Sequence, residues 1–371
     1  MQIKLDKTED QIALIKAIAS KDRDVAYEAK ATVAELVGPV ISEVINNAPS
    51  ISSLYTTASF SEDDNLSMPL DLLHDVTDQD YIRVHSQTVA GGLSSNEMFP
   101  AQDELKFKTY SLDSAWSFDK KYARKARVDV VSAVFTRMAQ EFLLKQEKTS
   151  VNQLLGALVA ADTKVGGSAA AGNHVISTLA DDRLQLADFN ALVTRSKRIW
   201  SNYSSGTPVG GSMVGVSDLI MSPEAVESIR SIAYNPVSEN QGHGTDATDA
   251  MREALMGQGG LPSLFGIGII EILELGVNQR YNEIFDAVNT AAGSPVTFNN
   301  AKDEIIIGVD RGNTGLIRPT VTEEGSSTEV TVESDDQFAV RQNKTGWYGK
   351  IEEGRIVTED RRLSGIVLTG A

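Results

Sequence analysis

The chain has 371 residues, which at about 150 per domain is enough for two or three packed units with a sizeable core. Its 34 Lys and Arg against 51 Asp and Glu leave a net charge of −17. That mean field repels phosphate and argues against wrapping nucleic acid by bulk charge. The absence of cysteine excludes a disulfide framework, a thiolate nucleophile and cysteine-ligated zinc or iron–sulfur sites.

The first residues, MQIKLDKTEDQIALIKAIASKDRD, lack the pattern of a secretory signal. No apolar stretch reaches the about 18 residues of a membrane helix, so no membrane partner is expected. Residues 8 to 47 predict helix. Ile12, Leu14, Ile15 and Ile18 share one face, and Val33, Leu36, Val37, Ile41 and Ile45 continue the stripe past Gly38-Pro39, where a break is expected. Ala48 to Gln79 has no period and is rich in Ser, Thr and Asp. So long a structureless connection is uncommon in a compact domain, which predicts an extended arm lying on something else.

From Tyr81 the period becomes two, through Arg83, His85 and Gln87. After Gly91-Gly92 and a polar tip, a second alternating run covers Leu105 to Phe118. Together they predict a long two-stranded hairpin, which exposes backbone groups on both edges and must rest on a neighbour. The strongest periodicity follows: Val128, Val131, Phe135, Met138 and Phe142, resumed after a polar stretch by Val151, Leu155 and Leu158. It predicts a helix from Arg127 to Ala160, roughly 50 Å long. Val165 to Asn173 is a Gly/Ala/Ser punctuation, and helix returns at Leu186 to Tyr203. In VSDLIMSPEAVESIRSI a strand leads through Ser222-Pro223-Glu224 into a helix. Asn235 to Gly260 is a polar, Gly-rich loop, and the last third reads mostly as strands separated by Gly, Asn and Asp turns.

Catalytic signatures are missing. There is no GxxxxGK[ST] phosphate loop, no GxSxG elbow and no HExxH, and the relaxed GxGxxA run at Gly242 to Ala247 has no strand before it. His243 with Asp246 and Asp249 could bind a cation, but solvated loop residues are the simpler reading. No catalytic residue, cofactor or metal is assigned. The basic run Lys120, Lys121, Arg124, Lys125 and Arg127 sits where the hairpin returns to the long helix. It fits a nucleic-acid patch or pairing with carboxylates of an adjacent subunit. Positive charge at a helix N-terminus opposes the macrodipole, which favours the second.

The hairpin YIRVHSQTVAGGLSSNEMF to LKFKTYSLDSAWSF, the helix RVDVVSAVFTRMAQEFLLKQEKTSVNQLLGAL, the stretch VSDLIMSPEAVESIRSI and the ending FAVRQNKTGWYGKI to DRRLSGIVLTG resemble, in combination, the major capsid proteins of tailed bacteriophages, the Hong Kong 97 fold. The resemblance covers nearly the whole chain as an order of elements and contains no exact motif. It implies an α+β fold with an N-terminal arm (1–80), an extended hairpin loop (81–121), a peripheral domain with a spine helix (122–215), an axial domain (216–320) and a β-rich return to the peripheral domain (321–371). The axial tip would include Asn235, His243 and Asp246.

The function implied is assembly, not catalysis: a major capsid protein forming an icosahedral shell of pentamers and hexamers around viral double-stranded DNA. It would be made in the host cytoplasm and reside in the virion. Met98, Trp116 and Phe118 are the expected hairpin anchors on a neighbour, with Lys120, Lys121 and Arg124 as charged contacts. Trp347 and Tyr348 are expected in the peripheral core. The arm begins too early to leave room for a cleaved scaffolding segment, so a separate scaffolding protein is expected, with a portal and a decoration protein as further partners. Lys106 or Lys108 with Asn343 could mimic a Lys–Asn isopeptide crosslink between subunits, although nothing in the sequence requires one. An acidic lumen would hold packaged duplex loosely. The alternatives are an encapsulin-like compartment of the same fold and a soluble enzyme using the His243 loop.

Overall fold

The computed structural model describes residues 8–46, 48, 51–69, 104–164, 174–181, 183–199, 215–234, 263–264, 266–311, 315–322, 328–335, 342–358 and 360–370. In chain order the elements are α1 (Glu9–Ile18), α2 (Arg23–Asn46), a 3₁₀ turn (Ile51–Leu54), β1 (Thr56–Ser61), β2 (Ser67–Pro69), β3 (Glu104–Lys106), β4 (Tyr110–Asp119), α3 (Lys120–Arg124), α4 (Val128–Lys164), β5 (Val175–Ser177), α5 (Leu186–Ile199), β6 (Asp218–Met221), α6 (Pro223–Tyr234), β7 (Ser263–Leu264), β8 (Ile267–Glu271), α7 (Arg280–Ala291), β9 (Glu304–Val309), β10 (Leu316–Thr322), β11 (Val330–Asp335), β12 (Lys344–Glu353), β13 (Ile356–Val357) and β14 (Leu363–Leu368). The chain is α+β. It divides into two compact units: residues 1–68, 106–151 and 317–356 form the first, and 69–105, 152–316 and 357–371 the second.

In the first unit β12 is the central strand. All ten of its residues pair antiparallel with β4, from Lys344 opposite Asp119 to Glu353 opposite Tyr110. Its other edge takes β11 and then β10, and β10 pairs in parallel with β1. The inward face carries Leu112, Ser114, Trp116 and Phe118 of β4 and Trp347, Gly349, Ile351 and Glu353 of β12. Trp347 is fully buried and stacks on Phe118 with ring centroids 5.7 Å apart. It also meets Phe135 of α4 at 5.0 Å, and its indole N–H donates to the Lys30 carbonyl of α2 at 3.4 Å. One side chain thus joins the sheet to both long helices.

Several expectations change here. The helical break falls at Ala19 to Asp22, where the Asp22 carboxylate accepts from the Asp24 N–H, and α2 runs through Pro39. Pro39 lies on the exposed face, so the Glu35 carbonyl that loses its helical partner faces water. Part of the arm expected to lie on something else, β1, is a strand of the chain's own sheet. The second hairpin run likewise does not stand as a ribbon; β4 is built into the sheet through β12. The first run, from Tyr81, lies outside the described residues. Helix α4 takes the expected stripe, with Val128, Val131, Phe135, Met138, Phe142, Val151, Leu155 and Leu158 all at 2% exposure or less. Its 37 residues span about 55 Å; residues up to Val151 belong to the first unit and those from Asn152 to the second.

The second unit is built on a six-stranded sheet in the order β5-β14-β9-β6-β8-β7. Strands β9 and β14 are buried along their whole length, consistent with sequences that are apolar apart from Glu304 and Ser364. Helices α5 and α6 supply Phe189, Leu192, Ala225, Val226 and Ile229 to this core. Ser222 caps α6 by accepting from the Ala225 N–H at 3.0 Å, as its Ser-Pro-Glu start suggests. The sequence reading missed α7, whose buried Tyr281, Phe285 and Asn289 recur every four residues. The buried His174 bonds through Nδ1 to the Leu363 carbonyl at 2.7 Å, so it is satisfied in the core.

Gly346 lies where a Cβ would come 2.7 Å from the Trp116 carbonyl and 3.2 Å from the Ser117 Cα, both backbone atoms of the paired strand. Gly346→Ala must therefore push β4 off β12. The expected loss is on the order of 1–3 kcal/mol, read as a lower urea midpoint for the tryptophan-fluorescence transition.

Candidate functional site

The densest polar arrangement lies in the first unit, around a carboxylate with no exposed surface. Glu353, the last residue of β12, is 0% exposed. Its Oε2 accepts from Arg318 Nε at 2.9 Å and from Gln146 Nε2 at 2.9 Å, and pairs with an Arg355 terminal nitrogen at 3.0 Å. Arg318 turns its other nitrogens to Glu329 at 3.2 Å and to the Asn46 side-chain oxygen at 3.0 Å. Arg355 donates to the hydroxyls of Ser150 at 2.9 Å and Ser52 at 2.7 Å, and its guanidinium lies over the Tyr55 ring. The Tyr55 hydroxyl donates to the Ser150 carbonyl at 3.0 Å, while Glu147 accepts from the N–H groups of Ile51 and Ser52.

These contacts tie α2, the Ile51–Leu54 turn, α4, β10 and β12 to one point. Burial raises the Tyr55 hydroxyl pKa, with Arg355 pulling the other way. Burial also raises that of Tyr110, and neighbouring Glu353 adds to the effect. Two guanidiniums meet two carboxylates here, with Gln146 and the Ser150 and Ser52 hydroxyls around them; the Gln146 Oε1 is buried without a partner. The cluster is arranged to hold segments together rather than to receive a substrate. Its sequence signal was the polar interruption of the α4 stripe, in which Gln146 and Ser150 are both fully buried.

The residues expected to contact a neighbour are distributed otherwise. Phe118 is buried against Trp347, and Trp116 packs on the same core while donating its indole N–H to Glu141 at 2.8 Å. Phe118 is taken up by its own unit, whereas Trp116 is only partly buried. Lys120 and Lys121 open α3, a five-residue helix capped by Asp119 that carries the basic run as far as Arg124, while Arg127 directly precedes α4. Lys121 pairs with Asp119 at 3.3 Å and Arg127 with Asp129 at 3.1 Å. The Lys121 N–H chiefly, with its ammonium, holds the Asp119 carboxyl below its ordinary range. Arg124 and Lys125 are exposed.

Lys106 and Lys108 precede the start of β4, whereas Asn343 lies beyond the other end of the β4–β12 pairing, where its carbonyl accepts from the Lys120 N–H. The ten paired residues separate them by roughly 30 Å within one chain, so any Lys–Asn bond would have to join two copies. Met98, Asn235, His243 and Asp246 lie outside the described residues. Tyr348 is partly buried on the outward side of β12, opposite Ala115.

The second unit buries one acid at the entry to α6. Glu304 is 1% exposed; Ser222 hydrogen-bonds one side of its carboxylate, and Oε1 has no partner. Burial raises its pKa, with nearby Glu224 adding to the effect and the Ser222 bonds opposing it.

No protein-family model and no curated protein matches the chain. Among solved structures it is similar to the capsid of a native GTA particle, at 12% identity over 86% of this chain and 90% of that one, with a TM-score of 0.49. The capsid of cyanophage P-SCSP1u is similar at 12% identity over 87% and 88%, TM-score 0.46. The holo-SrpI encapsulin complex from Synechococcus elongatus PCC 7942 is similar at 8% identity over 73% and 77%, TM-score 0.40.

Removing one charge from the first cluster leaves the others buried and unmatched. Glu353→Gln is expected to cost about 3–5 kcal/mol, measured by chemical unfolding, with Tyr55 and Tyr110 becoming accessible to solvent quenchers. For Glu304 the sign is opposite. A raised folded pKa means stability that is full below the ordinary carboxylate range and is lost as pH rises through the folded value. Glu304→Gln should therefore raise the melting temperature relative to the native chain more at pH 8 than at pH 5; an equal change at both would contradict the assignment.

Proposed function

We propose that the chain is a shell-forming subunit of the Hong Kong 97 fold, a major capsid protein that closes with copies of itself around double-stranded DNA. The observation that carries this reading is the passage from β4 through α3 into α4. A strand paired along ten residues with β12 leads, with three residues between α3 and α4, into a 37-residue helix whose residues belong to both compact units. An enclosed active site needs few convergent groups and no such helix. A subunit that must transmit contacts on several sides needs a stiff element common to its parts.

The order of elements around that passage supports the same reading: N-terminal helices, the strand β4, the long helix, a mixed α/β unit, and a β-rich return into the first sheet. The ionic cluster at Glu353 fits it too, because it spends buried polar groups on fixing the unit's own segments. Under this reading Arg124 and Lys125 meet a neighbour's carboxylates. A scaffolding protein and a portal complete the assembly.

Purified chain examined by negative-stain electron microscopy across salt and protein concentration should yield closed particles, capsomer rings or curved sheets. Material that stays monomeric under all conditions would overturn the proposal.

A further inference from the structure

The two ends of the second unit's sheet carry complementary features. At one end, β5 and α5 enclose an open groove of about 490 Å³ lined by Ile176, Asn190, Ala191, Thr194, Arg195 and Arg198. Its floor is apolar and its rim carries two guanidiniums. At the other end β8 runs into the turn Glu271-Ile272-Leu273-Glu274, in which Leu273 is 73% exposed between two exposed glutamates while Ile272 is buried. Among the described residues β7 pairs only with Ile267 and Gly268 and does not reach this turn.

Both features lie at the same level across the sheet. Val175, Gly365, Ile307, Ile220 and Ile270 form one cross-strand row. Strands β5 and β8 run in the same direction, so Ile176 and Glu271 each lie one residue beyond that row. Four strand intervals, about 19 Å, separate them, and a chain cannot seat its own turn in its own groove.

We infer that the Leu273 turn of one copy seats in the arginine-rimmed groove of the next, with Leu273 against Ile176 and Ala191 and Glu274 facing Arg198. The contact rests on the shell-subunit reading and names where copies meet. The two surfaces differ, so it is head-to-tail, and repeated by rotation it closes a ring. Opposite charges on rim and turn set its register and penalise turn-to-turn or groove-to-groove pairing. A lone exposed leucine is unremarkable on a protein surface. What distinguishes this one is a matched apolar groove of opposite charge at the far end of the same rigid sheet.

The chain contains no cysteine, so introduced thiols report alone. Full-length Ala191→Cys and Leu273→Cys chains, mixed under assembly conditions and oxidised, should give a crosslinked dimer that neither variant gives by itself. The double variant should give a ladder, and Leu144→Cys, equally exposed in the first unit, should not crosslink to Ala191→Cys. Arg198→Glu or Glu274→Arg alone should lower the crosslinked fraction severalfold, and the two together should restore it. Particles that form without a 191–273 crosslink would overturn this contact and leave the shell-subunit proposal standing. A chain that never associates would overturn both.

Discussion

The carboxylate of Glu353 cannot exist where it is without Arg318 and Arg355, and neither guanidinium could be buried without it. Segments far apart in sequence depend on that mutual requirement. Asn46 ends α2, Ser52 belongs to the following turn, Gln146 and Ser150 sit in the middle of α4, and Arg318 lies on β10; all donate to or accept from one cluster. Hydrophobic contact would hold these pieces together in many registers, whereas a charge cluster with fixed hydrogen-bond directions tolerates one. The unit is assembled from three separated stretches of chain, so a device that fixes their register is a constraint on the fold.

Around it the apolar core follows simple rules. Alternation places Trp347, Gly349 and Ile351 inward on β12, and the α4 stripe meets them with Phe135, Met138 and Phe142. Gly349 leaves room for that meeting, since a Cβ there would lie 2.8 Å from the Met138 sulfur. Outward positions of β4 and β12 are mostly polar, among them Ser111, Asp113, Lys350 and Glu352.

Much of this was legible in the residues themselves. The helix beginning near residue 128, the strand–turn–helix at Ser222 and the strands of the last third follow from period and capping chemistry that tertiary contacts do not override. The polar cluster was harder to see. Glu353 shares the inward parity of Trp347, yet a glutamate at a strand end is ordinarily solvated, and only its distant partners make it a core residue. Pro39 misled because a proline breaks a helix when the carbonyl it orphans is buried, and here that face is exposed. The pairing of β4 with β12 joins residues more than two hundred positions apart, beyond any local pattern. Alternation located Trp116 and Phe118 on one face but could not say whether that face belonged to the chain's own core or to a neighbour.

A unit fixed internally by the Glu353 cluster and the β4–β12 pairing is proposed to leave its outward edges to other copies. Hydrogen exchange measured by mass spectrometry on the dispersed chain and on the particle it forms tests this most directly. Residues 110–119 and 344–353 should be strongly and equally protected in both, while residues 174–178 and 269–275 gain protection on association. Identical protection throughout the chain in both samples, or rapid exchange along residues 344–353 in either, would contradict the account.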